Sequence, residues 1–596
     1  MSKLPEKKKE NNKEKQISAK EKTGAEIMID VLNANGVDIC WGYPGGAILP
    51  FYDVLYKSDI RHILVRHEQA AAFAAQGYAR VTGKLGVAVS TSGPGATNLI
   101  TGIADAKMDS IPVLFITGQV ATGSIGTDAF QESDMYGMSI PVTKYNALIK
   151  NTDDIARVTQ EAVTTAMARR QGPTLIDFPK DIQAAFSSVT KSDDFLIKSY
   201  HYENPEVNGD LDRLSTEIAR ANRPLIYAGG GLISAEATDL LLELAQKADI
   251  PVTSTLLGLG AFPGRHDLFL GMLGMHGTAY ANKAVMECDL IISLGARFDD
   301  RVAGDADEFA SQAIRAQVDI DSAEFKKRVN VDIHIQGHLK EVLEKLLKKV
   351  KEQKRPAWIE QIQTIKKENP LRLNLLDDVI KPQYFIHKLN ERTKGEAIIA
   401  TDVGQHQMWA AQFCTVNKPR NWLTSGGAGT MGFGLPAAIG AKLGRPDDDV
   451  ILISGDGSIQ MNIQELATIS MYNVAVKIII LHNGFLGMVR QWQEMFFEKR
   501  YSSSDLTEYN PDFIKIAEGY DIPGMKIDKP DEIEKGLDFL MNTPGPVLLE
   551  VMISPEEKVY PMIPAGKKYE NMITFDHDSE PGTPFTVIPH KSGGEK

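Results

Sequence analysis

Residues 453–484 read ISGDGSIQMNIQELATISMYNVAVKIIILHNG, and this stretch decides the fold. One apolar run ends at Gly455-Asp456-Gly457, and a second, rich in β-branched residues, ends at His482-Asn483-Gly484. The 25 residues between Gly457 and Asn483 have the length of one crossover, in which a helix joins two parallel strands. Ligands bind beyond the carboxyl ends of such strands, so Asp456 and Asn483 are predicted to lie together at that edge.

These two side chains and the neighbouring glycines have the chemistry of a magnesium–diphosphate site. A carboxylate and an amide oxygen suit Mg²⁺, which completes its octahedron with water and phosphate oxygens. Glycines let backbone N–H groups approach a diphosphate closely. The alternative is an ordinary Asp-Gly turn with a capping asparagine, but the crossover spacing favours the ligand site.

The same alternation of buried strands and helical patterns extends along the chain. VAVST (87–91), PVLFITG (112–118) and PTLIDFP (173–179) are typical of parallel strands covered on both faces. RPLIYAGGGL (223–232) opens a second such unit. The predicted fold class is α/β, with three doubly wound parallel-sheet domains. The predicted boundaries are a disordered charged tail at 1–22, an N-terminal domain at 23–190, a central domain at 205–355, a C-terminal domain at 376–560 and a tail at 561–596, with linkers near 190–210 and 355–378.

Composition excludes several classes of function. The net charge of −13 argues against nonspecific nucleic-acid binding. Cys40, Cys288 and Cys414 show no paired spacing, so neither a disulfide framework nor a zinc site is expected. No apolar run approaches the roughly 18 residues of a membrane span. The first 24 residues hold eight Lys and four Glu, unlike a signal or transit peptide, so a cytoplasmic location is expected.

The GDG motif followed by His482-Asn483 resembles the diphosphate-binding signature of thiamine diphosphate enzymes. Many members have two asparagines where this chain has His482-Asn483. The resemblance implies that Asp456 and Asn483 bind Mg²⁺ by side chain and that Phe485 contributes its backbone carbonyl.

Further stretches are similar to the catalytic, or large, subunits of acetohydroxyacid synthase (acetolactate synthase), over residues 22–565. ARFDDRV (296–302) and MVRQWQ (488–493) set the chain apart from pyruvate decarboxylases and oxidases. Ala121-Thr122-Gly123 departs from the family, whose members often carry Pro and basic residues there, beside the substrate channel. The other matching stretches are WGYPGGAILPFYD (41–53), STSGPGATNLITGIADA (90–106), GTDAFQE (126–132), FPKDIQ (178–183), LGMLGMHG (270–277) and TSGGAGTMGFGLPAAIGA (424–441).

By the same resemblance, Glu68 in VRHEQAAAFAAQGYAR (65–80) faces the aminopyrimidine ring of the cofactor and promotes its activation. The family places this glutamate and the diphosphate site on different subunits, which implies at least a homodimer. The alternative is that Glu68 is an ordinary acidic residue at a helix N-terminus.

The resemblance assigns the remaining catalytic positions to residues around the reacting centre. Arg301 would bind the carboxylate of a second 2-keto acid, since a guanidinium pairs with a carboxylate bidentately, and Trp492 would form an apolar wall. The alternatives are a surface ion pair from Arg301 to Asp299 or Asp300, and a core position for Trp492. Also implied are Gln131 and Phe130 facing the reacting centre, Gly46 lining it, and Lys180 at the pocket entrance.

Two cofactor pockets follow from the resemblance. The thiamine pocket would be lined by Val403, Gly404, Gln405, His406, Gly429, Met431, Gly457, Ser458, Gly487 and Met488. An FAD that performs no net redox step would be bound by Gly229, Gly230, Gly231, Thr255, Leu256, Leu273, Met275, His276, Gly295, Arg297, Arg301, Asp319, Ile320 and Asp332.

The implied reaction decarboxylates pyruvate and transfers the two-carbon unit to a second pyruvate, giving 2-acetolactate, or to 2-oxobutyrate, giving 2-aceto-2-hydroxybutyrate. This is the first common step of valine, leucine and isoleucine biosynthesis. The implied partners are 2-keto acids, further copies in a homodimer or homotetramer, and a separate small regulatory subunit, with no nucleic acid or membrane. The alternatives are another thiamine diphosphate-dependent 2-keto acid decarboxylase or carboligase, a flavin oxidoreductase, and an inactive binding protein.

Overall fold

Three sheets, each in its own section of the chain, form the protein. The computed structural model describes residues 21–189, 203–373 and 378–574, together with the backbone of residues 583–584. The predicted charged tail therefore lies almost entirely outside the described residues. The fold class is confirmed, because each sheet is parallel apart from one short edge strand in the central one.

The N-terminal sheet has six parallel strands, and those at its centre are fully buried because Val, Ile, Leu and Phe fill them. In chain order the strands are arranged 2-1-3-4-6-5, so the order reverses between the first and third. Across the sheet they are Arg61–Leu64, Ile39–Gly42, Gly86–Ser90, Val113–Gln119, Thr174–Pro179 and Tyr145–Leu148.

The C-terminal sheet repeats this arrangement with the same strand order. The crossover predicted between Gly457 and Asn483 lies at its centre, because Val450–Gly455 pairs in parallel with Val476–His482. Across the sheet the strands are Trp422–Leu423, Ile398–Thr401, Val450–Gly455, Val476–His482, Val547–Met552 and Gly524–Ile527. Two domains of one topology therefore flank the central sheet in the chain.

The central sheet has a different order, 3-2-1-4-5-6, with one antiparallel strand added at the edge. This is the order of dinucleotide-binding folds, whose ligand lies where the order reverses, between strands 1 and 4. The strands are Phe269–Met272, Val252–Ser254, Pro224–Ala228, Leu290–Leu294, Ile314–Asp319, Ile333–Gln336 and the edge strand Asn208–Gly209.

Helices cover both faces of each sheet. The α-helices of the first section are Gly24–Ala34, Leu49–Leu55, Glu68–Thr82, Pro94–Thr97, Ile100–Asp109, Met135–Ser139, Ile155–Met167 and Lys180–Ala184. Those of the second are Leu211–Arg220, Gly230–Ser234, Thr238–Ala248, Ala279–Glu287, Asp300–Ala303, Leu339–Leu347 and Pro356–Glu368. Those of the third are Pro382–Thr393, Gln405–Phe413, Gly434–Gly444, Asp456–Ile459, Leu466–Tyr472, Gly487–Phe496, Phe513–Gly519 and Ile533–Asn542. Two short strand pairs, Lys22–Thr23 with Phe186–Ser187 and Arg372–Leu373 with Thr583–Pro584, complete the fold.

The N-terminal and C-terminal sections pack through two helices made of small residues, Glu68–Thr82 and Gly434–Gly444. A Cβ on Gly77 would collide with the carbonyl oxygen of Ala437, and one on Gly440 with that of Ala74. Glycine at both positions therefore allows the two backbones to touch. This contact fixes where Glu68, the first residue of its helix, lies relative to the C-terminal section.

The prediction of a linker at 355–378 is wrong. The predicted linker at 355–378 contains the helix Pro356–Glu368, whose Trp358 is buried and donates from Nε1 to Pro224 O at 2.9 Å. The segment predicted as a C-terminal tail is packed on the core where it begins, because Met562 and Ile563 are buried and Ile563 N donates to Met275 O. Apolar residues spaced within these polar stretches are enough to pack them on the core. The remaining domain boundaries stay predictions.

In the described part of the chain, no helix combines the length and apolar character needed to cross a bilayer.

Candidate active site

The two predicted metal ligands lie at the carboxyl edge of the C-terminal sheet. Asp456 follows strand Val450–Gly455, and Asn483 follows the adjacent parallel strand Val476–His482. Asp456 Oδ2 accepts hydrogen bonds from Gly484 N at 3.0 Å and from Asn510 Nδ2 at 2.7 Å. Asn483 Oδ1 accepts one from Phe485 N at 3.0 Å, which ties the three predicted ligand residues into one turn.

The electrostatics of this turn suit a cation. Asp456 is buried, and the resulting desolvation raises the pKa of its carboxyl group, against the lowering effect of His482 and Asn510. Within the described ranges, no group of three or more His, Cys, Asp or Glu side chains is arranged to hold a metal. One carboxylate, one amide oxygen and one backbone carbonyl fit Mg²⁺ better than a metal that needs nitrogen or sulfur ligands, since Mg²⁺ takes its other ligands from phosphate and water.

Two helices point uncapped N-termini toward this turn. Gln405–Phe413 begins after Gly404 and Gly487–Phe496 after Leu486, and neither has a side-chain cap. Gln405 joins them, because its Oε1 accepts from Asn483 Nδ2 at 3.3 Å and its Nε2 donates to Gln491 Oε1 at 2.9 Å. Free N–H groups at helix N-termini bind phosphate groups well, so the turn and the helices form a diphosphate cradle.

The remaining predicted thiamine-pocket residues contact this cradle. An added Cβ on Gly404 or Gly455 would lie within 2.9 Å of the His406 ring, so both must be glycine for the ring to fit. Burial lowers the pKa of His406 to about 3, and its Nε2 has no hydrogen-bond partner. Ser458 Oγ donates to Val403 O at 3.2 Å. A buried polar atom without a partner, beside a cradle of backbone N–H groups, fits a polar ligand.

A cavity of about 1500 Å³ runs from this region into the central section. From the thiamine prediction it is lined by Val403, Gly404, Gly429, Met431 and Met488. From the FAD prediction it is lined by Gly230, Gly231, Thr255, Leu256, Leu273, Met275, His276, Gly295, Arg297, Arg301, Asp319 and Ile320. The structure therefore brings five of the ten predicted thiamine residues and twelve of the fourteen predicted FAD residues to one continuous space.

The central end of the cavity lies where the strand order of the central sheet reverses. Gly229 and Gly231 follow strand Pro224–Ala228, and a Cβ on either would meet the backbone of Gly295, which follows strand Leu290–Leu294. Thr255 Oγ1 and His276 Nδ1 are buried without hydrogen-bond partners. Burial lowers the pKa of His276 to about 4, so this ring is neutral. These features fit a dinucleotide with polar groups.

Asp332 is the predicted FAD residue that the structure places elsewhere. It precedes strand Ile333–Gln336 and its Oδ2 accepts from Arg315 N at 2.8 Å, near the start of strand Ile314–Asp319. Amino ends of parallel strands lie at the opposite edge of the sheet from the cavity. His338 and Leu339, which follow the carboxyl end of that strand, line the cavity instead.

Glu68 lies at the carboxyl edge of the N-terminal sheet, outside the residues that line the large cavity. It is half-buried, and its Oε2 accepts from Asn98 Nδ2 at 2.9 Å. A Cβ on Gly95 would lie 2.9 Å from its Oε1, and one on Gly93 would touch Gln131. These residues form one group at the point where the strand order reverses. The structure does not bring this group together with Asp456 within one chain.

The other predicted residues of the N-terminal section share this exposed edge. Phe130 is 88% exposed, and Gln131 and Gly46 are exposed as well. Lys180 is exposed at the end of strand Thr174–Pro179, and the neighbouring Asp181 accepts from Thr122 N at 3.0 Å, in the loop that departs from the family.

Arg301 and Trp492, far apart in the chain, line the same cavity. Arg301 is 63% exposed, and its Nε lies 3.8 Å from Asp300 Oδ2, a long and weak ion pair. Its backbone N–H donates to Asp299 Oδ1. In the described residues its guanidinium does not stack on Trp492, whose ring instead contacts Phe496. Arg301 can therefore bind an acidic group in the cavity.

Sequence reasoning missed the acids that hold one wall of the cavity. Asp109 is buried, pairs with Arg80 at 2.7 Å and accepts from the backbone N–H groups of Gly426 and Gly427. Asp105, also buried, accepts from Ser425 Oγ and from Thr430 Oγ1. The sequence offered one indication of this pair: Asp105 and Asp109 are four residues apart on helix Ile100–Asp109, so their side chains lie on the same face of it. They fix the Ser425–Met431 loop, which carries predicted cofactor residues.

A pH dependence of stability follows from Asp177, which lies within strand Thr174–Pro179. Burial raises the pKa of its carboxyl group to about 7, although Gln119 and Thr117 donate hydrogen bonds to it. The folded state then keeps a proton on this carboxyl group that the unfolded state loses near pH 4. The stability that the proton contributes is therefore fully present below pH 4 and is lost as the pH rises to 7. In urea titrations, we expect the Asp177→Asn variant to gain stability over the unmodified protein from pH 5 to pH 7, by up to about 1.4 kcal/mol per pH unit. An equal difference at both pH values would contradict this.

Comparison with known proteins identifies the class. The chain matches the thiamine pyrophosphate enzyme N-terminal TPP binding domain over residues 22–138, the central domain over 211–346 and the C-terminal TPP binding domain over 402–551. The protein is therefore a thiamine pyrophosphate enzyme built from all three domains.

Relatives narrow the class. The chain is 45% identical to the acetolactate synthase isozyme 2 large subunit of Escherichia coli (strain K12) over 550 residues, covering 92% of this chain and 99% of the relative. It is 47% identical to the acetolactate synthase large subunit of Lactococcus lactis subsp. lactis (strain IL1403), covering 94% and 97%. The probable acetolactate synthase large subunit of Methanocaldococcus jannaschii is 47% identical, covering 92% and 95%. The chain belongs to the acetolactate synthase large-subunit family.

Proposed function

We propose that this enzyme decarboxylates pyruvate and joins the remaining two-carbon unit to a second 2-keto acid, either pyruvate or 2-oxobutyrate. The first product would be 2-acetolactate and the second 2-aceto-2-hydroxybutyrate, precursors of valine, leucine and isoleucine. The observation that carries the proposal is the Asp456–Asn483 turn with its two uncapped helices, whose starts at Gly404 and Met488 line a cavity that Arg301 and Trp492 also line.

The residues at the C-terminal edge would hold thiamine diphosphate through Mg²⁺. Asp456, Asn483 and the Phe485 carbonyl would bind the metal, and the N-termini of Gln405–Phe413 and Gly487–Phe496 would bind the diphosphate. When bound, thiamine diphosphate supplies an electron sink for loss of carbon dioxide. Met431 and Met488 would exclude water from the reacting end, since both apolar side chains line the cavity.

Glu68 would complete the site from a second copy of the chain. Within one chain none of Glu68, Gln131 and Phe130 lines the large cavity, and Gln131 and Phe130 are exposed. A homodimer that pairs the N-terminal edge of one copy with the C-terminal edge of the other would bring Glu68 to the cofactor and bury Phe130. Glu68 would there hold or donate a proton at the cofactor ring.

The central section would bind FAD in a structural role. The 3-2-1-4-5-6 sheet, the glycines at 229–231 and the unpartnered atoms of Thr255 and His276 support this. The relatives are named large subunits, which supports a separate small subunit as a partner.

Product analysis tests the proposed function. The purified chain would be incubated with pyruvate, Mg²⁺, thiamine diphosphate and FAD, and acetolactate and acetaldehyde would be measured separately. We expect acetolactate to dominate. Acetaldehyde as the main product would indicate a decarboxylase, and oxygen consumption in proportion to pyruvate would indicate an oxidase.

Replacing Arg301 with lysine tests the acceptor site. Lysine keeps the charge but not the bidentate pairing with a carboxylate, and a hydrogen bond to a charged group contributes about 1.5–3 kcal/mol. We expect kcat/KM for acetolactate formation to fall by about 10- to 100-fold, with more of the pyruvate released as acetaldehyde. Arg328→Lys, which changes another arginine of the same cavity, is the matched control. A proportional fall in both products would contradict the assignment.

A further inference from the structure

The segment immediately before Glu68 is held by side chains of the C-terminal section of the same chain. Glu465 Oε1 accepts hydrogen bonds from two consecutive backbone N–H groups, Arg66 at 2.9 Å and His67 at 3.1 Å. Tyr472 Oη accepts another from Leu64 N at 2.9 Å. Three backbone donors in four residues are therefore bound by two side chains that are distant in sequence.

A third side chain completes this arrangement. Thr468 Oγ1 donates to Glu465 Oε2 at 2.6 Å, which fixes the rotamer of the carboxylate. Glu465, Thr468 and Tyr472 have i, i+3, i+7 spacing along the helical stretch 463–472, so they share one face of it. We call these three side chains the 465–472 clamp.

Glu465 has an arrangement that stability alone does not favour. It is fully buried, and among the described residues no Lys, Arg or His lies within ion-pair distance of its carboxylate. Burial raises the pKa of Glu465 to about 7, against the lowering effect of the three groups that donate to it and of the Arg66 charge. A buried carboxylate without a close ion pair is costly, and an apolar side chain of similar volume would stabilise the core more. Unlike an apolar side chain, glutamate provides a fixed hydrogen-bond acceptor for two adjacent backbone N–H groups.

This acceptor lies between a strand and the helix that begins with Glu68. Strand Arg61–Leu64 ends at the clamp, and Glu68 comes four residues after Leu64. Asn98 holds the carboxylate end of Glu68, while Glu465 holds the backbone that precedes it. The Glu68 carboxylate is thus held by the N-terminal section, and the backbone that leads to Glu68 is held by the C-terminal section.

We propose that Glu465, supported by Thr468 and Tyr472, is a positioning residue that sets the location of the Glu68 carboxylate. The inference rests on the proposed role of Glu68. It adds that the C-terminal section sets the position of Glu68 in the same chain. It does so through hydrogen bonds to the backbone before Glu68 and not through contact with substrate.

Hydrogen exchange in the cofactor-free protein tests the geometry directly. In Glu465→Ala, the amides of Arg66 and His67 lose their acceptor, so their exchange should become at least tenfold faster. Gln464→Ala is the matched control, because Gln464 bonds to Asn462 and not to residues 64–67. Unchanged protection in Glu465→Ala would overturn the proposal. If that variant fails to fold, Glu465→Gln and Tyr472→Phe carry the same test, with partial loss expected at His67 and at Leu64 respectively.

A double-mutant cycle then separates positioning from general stability. Misplacing a catalytic group by about 1 Å can cost about 10²-fold in rate, so Glu465→Ala should lower kcat by about 10- to 100-fold. In a Glu68→Gln background the same change should have less than a threefold effect, because the group it positions is gone. Equal effects in both backgrounds would show a merely structural role and overturn the inference. Full activity of Glu68→Gln alone would instead overturn the proposed role of Glu68, and the exchange result would still decide whether the clamp exists.

Discussion

The Glu68→Gln variant is expected to lose about 10²–10⁴-fold in kcat for acetolactate formation, which is the usual contribution of a positioned acid or base. Glutamine has the same shape, and its side-chain oxygen can still accept from Asn98 Nδ2, so the helix start should be preserved. The variant loses the group that exchanges a proton with the cofactor ring. Folding and the affinity for thiamine diphosphate should therefore change little.

The measurement is steady-state acetolactate production beside calorimetric titration of the cofactor. Glu534→Gln provides the control, since Glu534 also lies in the first turn of a helix and is exposed, and no residue of that helix, Ile533–Asn542, lines the cavity. A kcat within tenfold of the unmodified protein would remove Glu68 from the mechanism. A loss of cofactor binding equal to the loss in rate would assign it to binding instead.

Removing the Asp109 carboxylate is expected to cost about 3–5 kcal/mol of unfolding free energy, the usual effect of breaking a buried ion pair. Asp109 and Arg80 are both nearly inaccessible to solvent, so Asp109→Ala leaves the guanidinium buried without its partner. The change also frees the N–H groups of Gly426 and Gly427. The packing of the N-terminal and C-terminal sections should loosen as a result.

Urea denaturation of Asp109→Ala beside Asp53→Ala checks this prediction. Asp53 pairs with Lys57 on the surface, where an ion pair contributes about 0–1 kcal/mol, so its loss should be nearly silent. The Asp109 variant should also bind thiamine diphosphate more weakly, because the loosened loop contains Gly429 and Met431. Similar denaturation midpoints for the two variants would contradict the role given to the buried pair.

The sequence by itself predicted those parts of the site whose residues are close together along the chain. Asp456 and Asn483 are joined by a single crossover, and two parallel neighbours place their carboxyl ends side by side whatever packs around them. The glycines at 229–231 sit directly after a strand in the same way. Asp332 shows the limit of this reasoning, since the choice between the two edges of the sheet depended on where one short strand begins.

Only the tertiary structure decided which distant residues meet. Arg301 and Trp492 share a cavity because two domains close over it, and Asp109 reaches Gly426 because glycines let two helices touch. The clamp on residues 64–67 depends on the same packing. Periodicity and motifs indicate the conformation of residues that are neighbours along the chain. Contacts across domains depend instead on shape complementarity between whole surfaces. A single sequence carries no local pattern that predicts this complementarity.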